Sequence, residues 1–105
     1  MVSFPKHQSV RTIEDNADAR ERYKALGLNP KEFVKVKSGN LTLDAWMIKP
    51  VDFDSTKKYP VIVEVYGEPA SSTVQDVWGG GDLWNQYIAN LGYIVVSIDN
   101  RGANV

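Results

Sequence analysis

The sequence predicts a domain of the α/β class that contains a parallel β-α-β unit, and three consecutive segments support this prediction. Residues 60–66 and 93–98 are short, rich in β-branched side chains and nearly continuously apolar, which is typical of strands buried on both faces of a parallel sheet. Residues 82–91 have the composition of a helix, and Gly92 is a suitable helix end. Functional residues are expected at 66–69 and 99–102, because ligand sites lie beyond the carboxyl ends of such strands.

An antiparallel hairpin is predicted before this unit. Residues 33–37 alternate apolar with charged side chains, residues 38–40 have the composition of a turn, and residues 41–49 alternate and then become apolar. Such alternation indicates strands with one face toward solvent. The predicted order is therefore an antiparallel hairpin followed by the parallel unit.

A helix is predicted closer to the N-terminus, over residues 17–26. Asp15 or Asn16 would cap its first turn, and Gly27 would supply the left-handed residue after its last turn. Its apolar side chains form one narrow stripe, made of Ala19, Tyr23 and Leu26. The stripe predicts a surface helix that packs on a neighbouring element.

Composition excludes several classes of partner. The chain has 105 residues, 43% of them hydrophobic, so it is globular in character and long enough for one small domain. A parallel sheet of so few strands cannot bury both faces alone, so we expect the first part of a larger domain. With 12 basic and 13 acidic residues the net charge is −1, so the chain has no positive charge excess that would attract nucleic acid or an anionic membrane. Cysteine is absent, and no apolar run approaches the roughly 20 residues that span a bilayer. Residues 1–10 lack the apolar core of a signal peptide.

Metal and dinucleotide sites receive little support, and no cofactor is predicted. His7 is the only histidine, and the acidic connection at residues 52–54 lacks the pattern of a calcium loop. Asp99 ends a strand at a spacing that resembles the ribose-binding acid of a dinucleotide site. However, the glycines at 79–81 do not directly follow a strand, and Trp84 stands where that motif has its third glycine.

No complete nucleophilic site is present in these residues. No serine lies in G-x-S-x-G, and His7 precedes the domain, whereas an α/β-hydrolase has its histidine after the nucleophile. What the sequence contains is the element that precedes the nucleophile in that fold, the loop after the third strand, which supplies an oxyanion donor. Tyr66 offers a phenolic hydroxyl there. The alternative is a structural role, with Tyr66 an aromatic residue that caps the sheet.

Several motifs, in matching order from about residue 11 to 105, carry a family resemblance. They are the segments 10–16, 43–50 and 57–61, the Tyr66-Gly67-Glu68-Pro69 loop, which resembles Y-G-G-P, and 95–102, which resembles a strand ending in D-x-R-G. The sequence resembles the prolyl oligopeptidase family of serine peptidases, and within it the dipeptidyl peptidase IV branch. The resemblance implies that residues 1–30 are a linker and helix leaving a β-propeller. Residues 31–105 would be the N-terminal portion of an α/β-hydrolase catalytic domain.

The resemblance also implies a function and a site residue. The parent enzyme would release N-terminal Xaa-Pro or Xaa-Ala dipeptides from peptides through an acyl-enzyme, and Tyr66 would donate its hydroxyl to the oxyanion. The triad would lie downstream, so this chain alone is expected to be a fragment without activity. Asp99 and Arg101 border the family's site and are expected to hold structure. The family includes homodimers and exported proteins, so a homodimeric, periplasmic or exported parent is compatible with the resemblance.

The sequence leaves alternative functions open. Within the fold they are an acylaminoacyl or tripeptidyl peptidase or an esterase, and outside it a non-catalytic nucleotide-binding half-domain. Glu68 departs from the family, because glycine usually stands there; either its side chain points to solvent or its charge weakens the oxyanion site. Residues 61–65 and 94–98 would present unpaired strand edges and uncovered apolar faces. The isolated chain is therefore predicted to be poorly soluble or molten.

Overall fold

Two helices and four strands make up the part of the chain that the computed structural model describes, which is residues 10–68, 71–77 and 83–103. In chain order they are α1 (Ala17–Ala25), β1 (Lys31–Ser38), β2 (Leu41–Ile48), β3 (Val61–Glu64), α2 (Leu83–Asn90) and β4 (Ile94–Ile98). Neither helix in these ranges is long and apolar enough to cross a membrane.

The strands form one mixed sheet in the order β1-β2-β4-β3. β1 and β2 are an antiparallel hairpin in which Val34 lies opposite Ala45. β4 runs antiparallel to β2 and parallel to β3, so that Val95 lies beside both Ile48 and Ile62. The α/β class, with a hairpin that leads into a parallel β-α-β unit, is confirmed.

The core lies on the face of the sheet that α2 covers. Trp46 and Ile48 from β2, Val95 from β4 and Ala89 from α2 form one buried cluster, and Val74 and Ile88 pack against it. In β4, Val95 and Ser97 are buried and their neighbours only partly so, which is the alternation of a strand with one well-covered face. The expected burial on both faces is therefore not seen in this part of the chain.

The two strands of the parallel unit differ in their surroundings. β3 lies at one edge of the sheet, and all four of its residues are exposed, as predicted. β4 lies between β2 and β3 and is paired on both sides, so the prediction of an unpaired edge at residues 94–98 is wrong. β3 also ends at Glu64, two residues before the predicted boundary at Tyr66.

The first helix departs from its prediction. Every residue of α1 is exposed, so the expected packing of its apolar stripe is not seen in the described part of the chain. Asn16 has a left-handed backbone with φ of 54° and makes no capping hydrogen bond with its side chain. The carboxylate of Asp15 instead accepts the Ala17 amide hydrogen at 3.0 Å. Gly27 has φ of 58°, as its predicted role requires.

The segment after α1 is attached to α2 by amide side chains. Asn29 donates its backbone N–H to Gln86 Oε1 at 2.7 Å and accepts at its carbonyl oxygen from Gln86 Nε2 at 2.8 Å. Asn29 Nδ2 also donates to Asn90 Oδ1 at 3.1 Å. Gln86 and Asn29 are both buried. One glutamine thus satisfies both backbone groups of a buried residue, as a neighbouring strand would.

Candidate active site

The carboxyl ends of β3 and β4 lie side by side, because the two strands are parallel neighbours. Glu64, the last residue of β3, is in register with Ser97. Tyr66 follows β3 by two residues and Asp99 directly follows β4. The fold therefore brings Tyr66 and Asp99 to the same edge of the sheet, as the sequence predicts.

Tyr66 lies in the loop beyond β3. Its side chain is half-exposed at 51% relative accessibility, so the phenol can meet a bound molecule. Gly67 follows with φ of 78°, a conformation that residues with a Cβ rarely adopt. Gly67 thus allows the chain to turn sharply away immediately after the tyrosine.

Glu68, which stands where the family motif usually has glycine, shows no backbone strain. Among the described residues, Asn16 is the sole non-glycine residue with positive φ. The left-handed conformation that would exclude a long side chain is therefore absent at Glu68, and among the described residues of this loop it occurs at Gly67. Glu68 is exposed, and water screens an exposed charge. Of the two outcomes considered for Glu68, the structure favours a side chain that points to solvent.

Asp99 anchors the loop that follows Tyr66. Its Oδ1 accepts hydrogen bonds from the Thr73 amide at 2.7 Å and from the Thr73 hydroxyl at 2.8 Å, and its Oδ2 accepts from the Val74 amide at 3.1 Å. These contacts agree with the expectation that Asp99 holds structure. They also engage both carboxylate oxygens, which argues against the ribose-binding role considered above. Arg101 is exposed in the turn after it.

A buried serine links this anchor to the end of β3. Ser97 is fully buried near the carboxyl end of β4. Its Oγ donates to the Glu64 carbonyl oxygen at 3.0 Å and lies 2.7 Å from Thr73 Oγ1. Asp99, Thr73, Ser97 and Glu64 therefore form one polar cluster across the ends of the two parallel strands. The Thr73 hydroxyl donates to Asp99 and the Ser97 hydroxyl donates to Glu64, so the two hydroxyl oxygens, each with its single proton engaged, are in contact with each other.

Sequence analysis missed Thr73 and Ser97. Ser97 carries a detectable signal, since it is the one polar residue of a strand that is otherwise apolar and a buried hydroxyl needs a partner. Thr73 lies in a loop with no periodic pattern, and its partners are more than 20 residues away. His7 and the glycines at 79–81 lie outside the described residues. Within those residues no group of three side chains is arranged to hold a metal ion.

The fold and the loop at the strand ends are those of the N-terminal part of an α/β-hydrolase domain. The chain is 41% identical to dipeptidyl peptidase 4 of Porphyromonas gingivalis, whose crystal structure matches 96% of this chain with a TM-score of 0.83. It is 38% identical over 104 residues, or 97% of its length, to a probable dipeptidyl-aminopeptidase B of Paracoccidioides brasiliensis. Pyrococcus horikoshii acylaminoacyl peptidase matches 90% of the chain with a TM-score of 0.60 and 32% identity.

These similarities establish the family. The chain belongs to the prolyl oligopeptidase family. It spans 11% of the fungal relative and 14% of each of the two solved chains. No protein-family model matches the sequence.

Proposed function

We propose that this chain supplies the start of the catalytic domain of a serine exopeptidase that releases N-terminal Xaa-Pro or Xaa-Ala dipeptides. The observation that carries the proposal is the position of Tyr66. It is half-exposed in the loop after β3, beside the end of β4, in a backbone that matches a dipeptidyl peptidase over 96% of the chain. That dipeptidyl peptidase is also more similar to this chain than the acylaminoacyl peptidase is, with 41% identity and a TM-score of 0.83 against 32% and 0.60.

In this proposal Tyr66 acts on charge that develops during the reaction. A serine hydroxyl attacks the scissile carbonyl carbon, and the carbonyl oxygen becomes an oxyanion in the tetrahedral intermediate. The Tyr66 hydroxyl donates a hydrogen bond to that oxygen. A donor of this kind contributes roughly 10²–10³ in kcat, because the hydrogen bond is strongest when the charge is fully developed. Collapse of the intermediate releases the amine and leaves an acyl-enzyme, which water hydrolyses.

The remaining parts of the site belong, in the proposal, to sequence outside these 105 residues. The serine, aspartate and histidine would follow the chain, and residues 1–30 would connect it to a propeller that recognises the substrate's amino terminus. Residues 31–105 would form the beginning of the hydrolase domain. The relatives support this arrangement, because the chain spans only 11–14% of their length.

The first test is the coding sequence on both sides of these 105 codons. A continuous frame with G-x-S-x-G downstream and propeller repeats upstream supports the proposal. A start codon at Met1 and a stop codon after Val105 would contradict it. On its own the chain should show no labelling by a fluorophosphonate, because it lacks the nucleophile and base; labelling of a serine would contradict that expectation.

The second test uses the full-length protein that carries this chain. Tyr66→Phe should lower kcat for an Xaa-Pro anilide with a free amino terminus by roughly 10²–10³-fold. Tyr87→Phe is the matched control, because Tyr87 is also exposed, at 56%, but lies on α2, and it should leave kcat unchanged. Equal activity of wild type and Tyr66→Phe would contradict the proposal. Turnover only of N-acylated substrates would support the acylaminoacyl alternative instead.

A further inference from the structure

We propose that Asp99 is a positioning residue for Tyr66, and that it acts through Thr73 by fixing the loop that Tyr66 begins. This inference rests on the proposed role of Tyr66 as oxyanion donor and identifies what holds that donor in place. A hydrogen-bond donor stabilises a transition state only if it is held at the position where the charge develops. Tyr66 lies in a loop rather than in a strand, so no ladder hydrogen bonds fix it and the contacts before and after it become important.

After Tyr66, the support is concentrated at Thr73. Three polar groups of this residue have partners on the sheet. Its amide and its hydroxyl donate to Asp99 Oδ1, and its carbonyl oxygen accepts from Trp46 Nε1 at 3.1 Å. The next residue, Val74, donates its amide to Asp99 Oδ2 and packs on the core. The loop is therefore attached to β2 and β4 at a point seven residues beyond Tyr66.

Before Tyr66, the support is the end of β3. The carbonyl oxygen of Glu64 accepts from Ser97 Oγ at 3.0 Å, and its carboxylate accepts from Asn85 Nδ2 on α2 at 3.2 Å. Ser97 Oγ also contacts Thr73 Oγ1. The attachment points before and after Tyr66 are thus in contact with each other.

Asp99 is itself held by the sheet, which makes it a suitable anchor. Its amide donates to the Asp44 carbonyl oxygen at 2.9 Å and so continues the pairing of β4 with β2. Its carboxylate accepts three of the hydrogen bonds that fix the loop. An asparagine of the same size replaces one accepting oxygen by an NH₂ group that donates. At least one of the three bonds would then bring two donors together, and the loop would loosen.

The test is a double-mutant cycle in the full-length enzyme, with Asp99→Asn, Tyr66→Phe and both together. If Asp99 positions the Tyr66 hydroxyl, Asp99→Asn should lower kcat at least fivefold in the wild-type background, with a smaller change in KM. In the Tyr66→Phe background the same substitution should change kcat less than twofold, because the hydroxyl that it positions is already gone. A purely structural role would lower kcat equally in both backgrounds.

Controls separate positioning from folding. Each rate is divided by the number of active sites that a fluorophosphonate titrates, so unfolded protein does not count. Asp52→Asn, at an exposed position, should leave kcat unchanged. Thr73→Val removes the hydroxyl but keeps the amide. If Asp99→Asn fails to fold, Thr73→Val takes its place in the same double-mutant cycle with Tyr66→Phe. Thr73→Ser keeps the hydroxyl and should restore most of the activity.

The outcomes distinguish this inference from the proposed function. A Tyr66→Phe enzyme with normal kcat overturns the oxyanion role, and the positioning role with it. A large loss in Tyr66→Phe together with equal effects of the Asp99 or Thr73 substitution in both backgrounds overturns the positioning role alone. A large loss in Tyr66→Phe with an effect of Asp99→Asn that disappears in that background supports both.

Discussion

The attachment of Asn29 to Gln86 can be tested by removing the two hydrogen bonds that one side chain makes. Gln86→Met keeps the length of the side chain in its buried site but can neither accept from the Asn29 amide nor donate to the Asn29 carbonyl oxygen. Each such bond has a net worth of about 1 kcal/mol. Losing both should lower the free energy of local opening by about 2 kcal/mol, a factor of roughly 30 in the opening equilibrium.

Hydrogen–deuterium exchange of the folded protein measures this change directly. The Asn29 amide hydrogen is bonded to Gln86 Oε1, so its exchange reports the opening of this contact. We expect roughly 30-fold faster exchange at Asn29 in Gln86→Met, with amides of β1 and β2 little changed. Gln75→Met is the matched control, because Gln75 is exposed and contacts Ser72 in another loop. Unaltered exchange at Asn29 in Gln86→Met would refute the reasoning.

Three further predictions concern other contacts. The amide and hydroxyl of Thr56 donate to Asp54 and lower the pKa of that carboxyl; Thr56→Val should raise this pKa toward its ordinary value in an NMR titration, and a constant value would contradict the assignment. Because the folded-state pKa of Asp54 is lowered, these bonds stabilise the turn at neutral pH. Their contribution is lost as the pH falls through that lowered pKa. The isolated chain should associate and bind a hydrophobic dye through its exposed edge strand, and Val63→Lys should reduce both effects; a sharp cooperative melt of a monomer would contradict this. In the full-length protein, Trp46→Phe removes the bond to the Thr73 carbonyl oxygen and leaves a gap where the buried indole packs. It should cost more than the roughly 1 kcal/mol of the hydrogen bond alone, so an unchanged denaturant midpoint would count against it.

Local patterns predicted the elements whose structure depends on local contacts. The alternating charges around Val34 and Val36 predicted the hairpin, because its two strands are adjacent in the chain and one face is wet. The apolar run at 94–98 predicted β4, and Gly92, with φ of 92°, ends the helix region before it. Tyr66 and Asp99 were predicted to lie at one edge because parallel strands end together.

Predictions failed where a distant residue decides the structure. β3 ends at Glu64 although Val65 continues the apolar pattern. At that point the Glu64 carbonyl oxygen accepts from Ser97, 33 residues away, and Gly67 follows with positive φ. The loop at 71–77 is shaped by Asp99 and Trp46, and no periodicity in its own sequence reports those partners. At α1 the apolar stripe suggested packing, but a stripe of three residues in a strongly charged helix stays exposed in the described chain.

The strand order has a consequence for how the chain folds. The hairpin of β1 and β2 needs only neighbouring residues and can form on the microsecond timescale. β3 has no such option, because its partner in the described sheet is β4, which is made about 30 residues later and also pairs with β2. Until β4 pairs with both neighbours, no backbone hydrogen bonds connect β3 to the hairpin of β1 and β2. Forming these pairs requires the closure of long loops, which slows folding at this step. Substitutions in β4 that weaken strand pairing should therefore slow folding more than equally destabilising changes in β1.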